Sequence, residues 1–152
     1  MKVFIDTNVF LDYILSRQVG FVEANELFML SANYQIDLIL SDLTLANVRY
    51  VTRRDFTNEF FYEVINDMRD LFEIAPIGPN AVDRALVLRA NDFEDALQYF
   101  SAIQSGADCI VTRNAKDFSF SEIEVLTPSD FLAKYYPQQI LLRLHTTIVI
   151  IY

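Results

Sequence analysis

Positive charge, histidine and cysteine are scarce in this sequence. Its 152 residues carry 12 Lys and Arg against 21 Asp and Glu, a net charge of −9. Affinity for nucleic-acid backbones comes largely from cations neutralising phosphates, so nonspecific electrostatic binding to nucleic acid is excluded as the main activity. Any such role must rest on a local basic patch or on metal ions. One histidine, His145, rules out histidine-based triads and zinc sites built on Cys/His sets. The lone Cys109 forms no disulfide framework, which points to a reducing compartment and a packed, inert thiol. Long apolar runs are also missing. The longest, residues 148–152, falls far short of a membrane span, and Met1-Lys2 leads directly into a strand-like run rather than a signal peptide. The expectation is a cytoplasmic protein with no membrane contact.

What is present is a well-filled core composition, 53% apolar with 22% charged residues, in a chain long enough for one ordinary domain. Apolar runs at residues 3–5, 36–40, 71–75, 108–112 and 123–126 read as five strands. Helical periodicity separates them at 9–15, 21–33, 43–54, 56–70, 81–89 and 93–104, and a last helix runs to Tyr135. Thr127-Pro128-Ser129-Asp130 supplies that helix with a cap, a first-turn proline and an acidic third position. Gly106 suits the end of the helix over 93–104. This alternation predicts an α/β fold of three layers, a central parallel five-stranded sheet flanked by helices. No repeat, low-complexity tract or linker divides residues 1–135.

Residues 136–152 stand apart as an apolar extension. A terminal strand of this composition is an aggregation hazard unless it pairs in the sheet or packs on another subunit, so it is expected to form an extra strand or a homo-oligomer contact. His145 lies within it and reads as structural.

Three short segments put acidic or amide side chains beside apolar runs: Phe4-Ile5-Asp6-Thr7-Asn8, Asp92-Phe93-Glu94-Asp95-Ala96-Leu97, and Val111-Thr112-Arg113-Asn114-Ala115-Lys116-Asp117-Phe118. A parallel α/β sheet binds ligands at the carboxyl ends of its strands, where such residues converge although distant in sequence. An oxygen-rich cluster of this kind suits a hard divalent cation. Each residue also has an ordinary structural reading. Asp6 could cap the first helix, Asp92 and Asp95 are spaced like a capping box, and Asn114 and Asp117 suit a turn. It is their joint placement that points to a metal site.

In order and context the three segments resemble the PIN-domain family, the nuclease-like fold that includes the VapC-type toxins of bacterial toxin-antitoxin pairs. The resemblance spans residues 1–135. It makes Asp6 the first metal-binding aspartate and matches Asp95 to the aspartate opening the helix before the fourth strand. Thr112, Asn114 and Asp117 then fill the polar positions after that strand. The resemblance implies Mg²⁺ or Mn²⁺ held by Asp6, Asp95, Asp117 and Asn114, with Asn8, Thr112 and Asp92 in support. It further implies a ribonuclease acting on single-stranded or structured RNA, silenced by an antitoxin protein. Arg49, Arg53, Arg113 and Lys116 are the candidate RNA contacts, although charged residues in a row are as readily a solvated helix face.

One departure stands out. Where the family usually has a glutamate, in the helix after the second strand, this chain has Asn47. An amide offers one carbonyl oxygen but neither charge nor proton acceptance, so the expected ring of acids is one short. That leaves a rival expectation, a catalytically weakened domain that binds protein or RNA. Asp42, Asp12 and Asp92 are the acids expected to compensate. Two other acidic α/β sites fit poorly. A haloacid-dehalogenase phosphatase needs an aspartate where Asn8 stands, and a receiver domain needs an acidic pair closing its first strand.

Overall fold

The computed structural model describes residues 1–138. Its sheet is formed by β1 (Lys2–Ile5), β2 (Asp37–Ser41), β3 (Glu73–Ala75), β4 (Cys109–Val111) and β5 (Glu124–Leu126). All pairings are parallel and the spatial order is β3-β2-β1-β4-β5. β1 is therefore central, with Phe4 level with Ile39 on one side and Ile110 on the other. The order reverses between β1 and β4, the kind of switch point where such sheets open a crevice at their carboxyl ends.

Alternation along β1 separates two cores. Val3 and Ile5 face one side with Phe10, Phe28, Val48 and Phe131, while Phe4 faces the other with Ala81, Ala96, Phe100 and Phe118. The first side is covered by α1 (Thr7–Ile14), α2 (Phe21–Ala32), α3 (Asp42–Thr52), α4 (Asn58–Asp67) and α7 (Pro128–Tyr135). The second is covered by α5 (Gly78–Leu88) and α6 (Phe93–Gln104). The three layers expected from the sequence are present. Among the described residues no helix is long and apolar enough to cross a membrane.

Several helix starts follow from side-chain caps. Ser41 accepts from the Thr44 amide, Thr57 from Phe60, Asp92 from Glu94 and Asp95, and Thr127 from Asp130; each such cap is worth about 1 kcal/mol. The cap at Thr57 moves the start of α4 to Asn58, later than residue 56. That helix also ends sooner than its periodicity suggests, because a 3₁₀ turn over Arg69–Leu71 takes the chain into β3, with the Arg69 guanidinium donating to the Phe72 carbonyl at 2.8 Å. Gly78-Pro79 opens α5 with the proline in its first turn.

Gly20 is the glycine on which packing depends. Its φ is +101°, and an added Cβ would lie 2.2 Å from Asp12 Oδ2, so the turn into α2 needs both the left-handed backbone and the missing side chain. Cys109 is buried in β4, and burial pushes its thiol up to about 12, as expected of an inert cysteine. The expected extension begins at residue 136, and its residues 139–152, His145 included, lie outside the described residues.

Candidate active site

Asp6 follows the last residue of β1 and occupies the N-cap position of α1, yet its side chain makes no capping bond. Its carboxylate is held instead by three neutral donors from three parts of the chain. Gln98 Nε2 donates to Oδ1 at 3.0 Å, while Asn8 Nδ2 at 2.6 Å and Thr112 Oγ1 at 2.7 Å donate to Oδ2. Asn8 and Thr112, the expected supporting residues, thus both touch Asp6 directly. Asn8 Oδ1 also accepts from the Arg113 amide, and Thr112 Oγ1 from the Asn114 amide, which fixes the loop after β4 against the start of α1.

A second layer ties in α3 and α6. Gln98, 1% exposed, brings its amide nitrogen within 2.9 Å of Thr7 Oγ1 and 3.1 Å of Glu94 Oε1, and its carbonyl accepts from Thr44. Thr44 and Ser41 bond each other at 3.0 Å. Asn47 faces this network: its Nδ2 donates to Glu94 Oε1 at 2.6 Å. Buried polar groups are costly unless satisfied, and here each polar side chain between β1, α3 and α6 has a partner.

The electrostatics are one-sided. Burial, with Glu94 nearby, pushes the Asp6 carboxyl up, against the opposing pull of hydrogen bonds from Thr112, the Thr7 backbone amide and Asn8. Asp95 is pushed up from 3.8 to about 7, first by burial and then by the negative charges of Asp6, Asp92, Asp117 and Glu94. Five carboxylates, from the end of β1, the start of α6 and the segment after β4, therefore share one field. Asp95, Asp92 and Asp117 also line a cleft of about 480 Å³ with Arg89, Lys116, Ser119 and Phe120.

Among the described residues no three His, Cys, Asp or Glu side chains are drawn together as a ready ligand set for a metal. In donor chemistry and charge, however, the cluster fits a hard cation: every candidate ligand is an oxygen, and a cation would relieve the repulsion felt at Asp95.

The remaining sequence candidates divide by what holds them. Asp92 caps α6 and lines the cleft. Asp42 Oδ1 accepts from Leu43 and Ile77, an attachment between α3 and the start of α5. Asp12 is buried and pairs with Arg113 at 2.8 Å and with Arg17 at 3.5 Å. The guanidinium of Arg113 is thus engaged with Asp12. Arg49 donates to Asn58 and lies over the Phe61 ring, and Arg53 donates to the Tyr50 carbonyl and lies over the Tyr50 ring. Lys116 faces the acidic cleft. Glu94, Gln98 and Arg89 were not singled out from sequence. The available signal for the first two was their spacing of four on α6, beside Asp95, which puts both on one helix face.

The defining pattern of the PIN domain matches residues 2–116. The chain is 30% identical to the Aquifex aeolicus protein named ribonuclease VapC1 over 139 residues, 88% of this chain and 95% of that protein. A solved toxin-antitoxin complex from Klebsiella pneumoniae superposes with a TM-score of 0.63 at 23% identity, covering 83% of this chain and 97% of that one. Mycobacterium tuberculosis VapC20, described as a sarcin-ricin loop cleaving toxin, superposes with a TM-score of 0.56 at 13% identity, over 71% and 86% of the two chains. With the acidic cluster at the β1/β4 switch point, the match over most of its length and a VapC relative at 30% identity, this chain belongs to the PIN-domain family, of VapC type.

Proposed function

We propose that this protein is a metal-dependent endoribonuclease, the toxin of a toxin-antitoxin pair acting in the cytoplasm, and that Asp6, Asp95 and Asp117 form the core of its Mg²⁺ or Mn²⁺ site. The observation that carries this reading is the crowding of negative charge around Asp95, drawn from elements that meet at the carboxyl end of the sheet. The relative named as a ribonuclease supports RNA as substrate. When bound, the cation supplies a more acidic water and offsets charge on the phosphate.

The chain's own groups have separate tasks. Thr112, Asn8 and Gln98 hold the Asp6 carboxylate in one orientation. Lys116 and Arg89 stand on the wall of the cleft that carries Asp95 and Asp117, placed to hold RNA phosphates beside the acids. Single-stranded RNA, or a loop in a folded RNA, is the substrate class whose backbone can enter such an open cleft. The antitoxin would cover this acidic face with a segment carrying its own cations, which suits a surface of net charge −9. The structural relative described as a toxin-antitoxin complex supports that partnership.

Asn47 favours a second reading, a domain that binds RNA or protein without cutting. Incubating purified protein with a structured RNA and Mn²⁺, beside Asp6→Asn, separates the two. Cleavage lost in Asp6→Asn supports the nuclease; metal-independent binding with no cleavage by the unmodified chain would sink it.

A further inference from the structure

The position that α3 leaves to an amide is met by a carboxylate from another helix. Asn47 Nδ2 lies 2.6 Å from Glu94 Oε1, so an acid does stand at this place in the site, reached from α6 instead of α3. Glu94 Oε1 also lies within 3.3 Å of Thr7 Oγ1 and 3.1 Å of Gln98 Nε2. These contacts gather on one oxygen, and Oε2 takes part in none of the described hydrogen bonds. Thr7 and Gln98 are the neighbours and partners of Asp6, so the same framework orients both carboxylates.

Of the acids expected to compensate, Asp42 and Asp12 are committed elsewhere, and Asp92 lines the cleft with Asp95 and Asp117 while its Oδ1 holds the first amides of α6. Asp42 binds backbone amides, and Asp12 binds two arginines. Glu94 is half-buried, faces no described cation, and is held only by neutral donors. A glutamate at residue 47 would put two carboxylates at hydrogen-bonding distance, whereas an asparagine turns that contact into a donated bond. The pair therefore reads as an exchange of roles between two helices.

We propose that Glu94 is the fourth acidic ligand of the cation site and that Asn47 is its positioning residue, holding Oε1 and leaving Oε2 for the cation. This rests on the metal-site reading above, and it removes the deficit that Asn47 suggested. The chemistry needed at this point is one negative oxygen of fixed orientation, and the helix that supplies it is immaterial.

The test is Mn²⁺ binding to the full-length protein, followed by calorimetry and by the thermal shift that Mn²⁺ produces, for the unmodified chain, Asp6→Asn, Glu94→Gln, Asn47→Ala and the exchange Asn47→Glu with Glu94→Gln. Metal-free melting temperatures show which variants remain folded. Glu94→Gln is expected to weaken Mn²⁺ binding by at least about tenfold with little change in metal-free melting, and Asn47→Ala to weaken it by about tenfold. The exchange variant, which returns the charge to α3, is expected to regain affinity over Glu94→Gln alone. Affinity within twofold of the unmodified chain in Glu94→Gln, with Asp6→Asn no longer binding, overturns the role of Glu94 and leaves the metal site standing. Absence of Mn²⁺ binding by the unmodified chain overturns both. If Glu94→Gln does not fold, the exchange variant decides: binding supports an acid at this point, and a folded protein without binding overturns it.

Discussion

Two aspartates six residues apart, both buried beside the carboxyl end of β1, have opposite surroundings. Asp12 is 1% exposed and sits against two guanidinium groups. Asp6 is 5% exposed and receives hydrogen bonds only from amides and a hydroxyl. A buried carboxylate normally needs a counter-charge. The fold provides one for Asp12 and withholds it from Asp6, although Arg113 lies one residue beyond Thr112. Arg113 pairs with Asp12 instead, at 2.8 Å. The difference is one of counter-charge: Asp12 meets two arginines, whereas Asp6 takes part in none of the described ion pairs, which is what the proposed cation site would answer.

Removing the Asp6 charge should break the comparison most visibly. Asp6→Asn is expected to lower RNA cleavage by at least about 100-fold. In metal-free buffer its melting temperature should equal or exceed that of the unmodified chain, because a repelled charge has been removed. A large fall in metal-free stability would show that Asp6 is structural after all. Gly20→Ala attacks the other aspartate. The new Cβ meets Asp12 Oδ2 and needs a left-handed φ, so urea denaturation should show a loss of about 2 kcal/mol. Arg113→Ala strips Asp12 of its nearer partner but leaves Arg17. With the Arg113 side chain 43% exposed, the loss should be smaller, about 1 to 2 kcal/mol.

The smallest effect is a pH slope. The folded-state value of Asp95 is raised from 3.8 to about 7, so between these values the folded protein holds a proton that the unfolded chain has released. Its contribution favours folding at the acid end and is lost as pH rises toward 7. Asp6 is shifted in the same direction. Metal-free melting temperature should therefore fall between pH 5 and pH 8 by more in the unmodified chain than in Asp95→Asn, and equal slopes would remove Asp95 as the source.

Apolar periodicity made the layers legible in the sequence, because each strand is a short apolar run between helices that are polar on one side. The end of β1 was equally legible, since Asp6 breaks the run Val3-Phe4-Ile5. What sequence could not supply was direction. Asp6 and Asp12 are both acids beside apolar residues, and nothing local tells which meets an arginine a hundred residues away. Asn47 was visible as a departure from the family pattern, but its partner Glu94 depends on how α6 crosses α3. Gln98 by itself carries no local signal, because a glutamine on a helix is ordinarily a surface residue, whereas here it fills the space between β1 and α3. The start of α4 slipped because Thr57 caps the chain where periodicity alone saw a continuous helix.

The bond from Thr112 to Asp6 spans 106 residues and also has a consequence in time. β1 is the first strand in the chain as well as the central one, so once made it waits for β4 on one of its sides. At ordinary synthesis rates that interval is about 5 to 20 s. Asp95 and Gln98 join only near its end and Thr112 closes it, so a product cut short before residue 112 lacks both the Thr112 bond and Asp117. The acidic cluster thus comes into being only once most of these residues have left the ribosome.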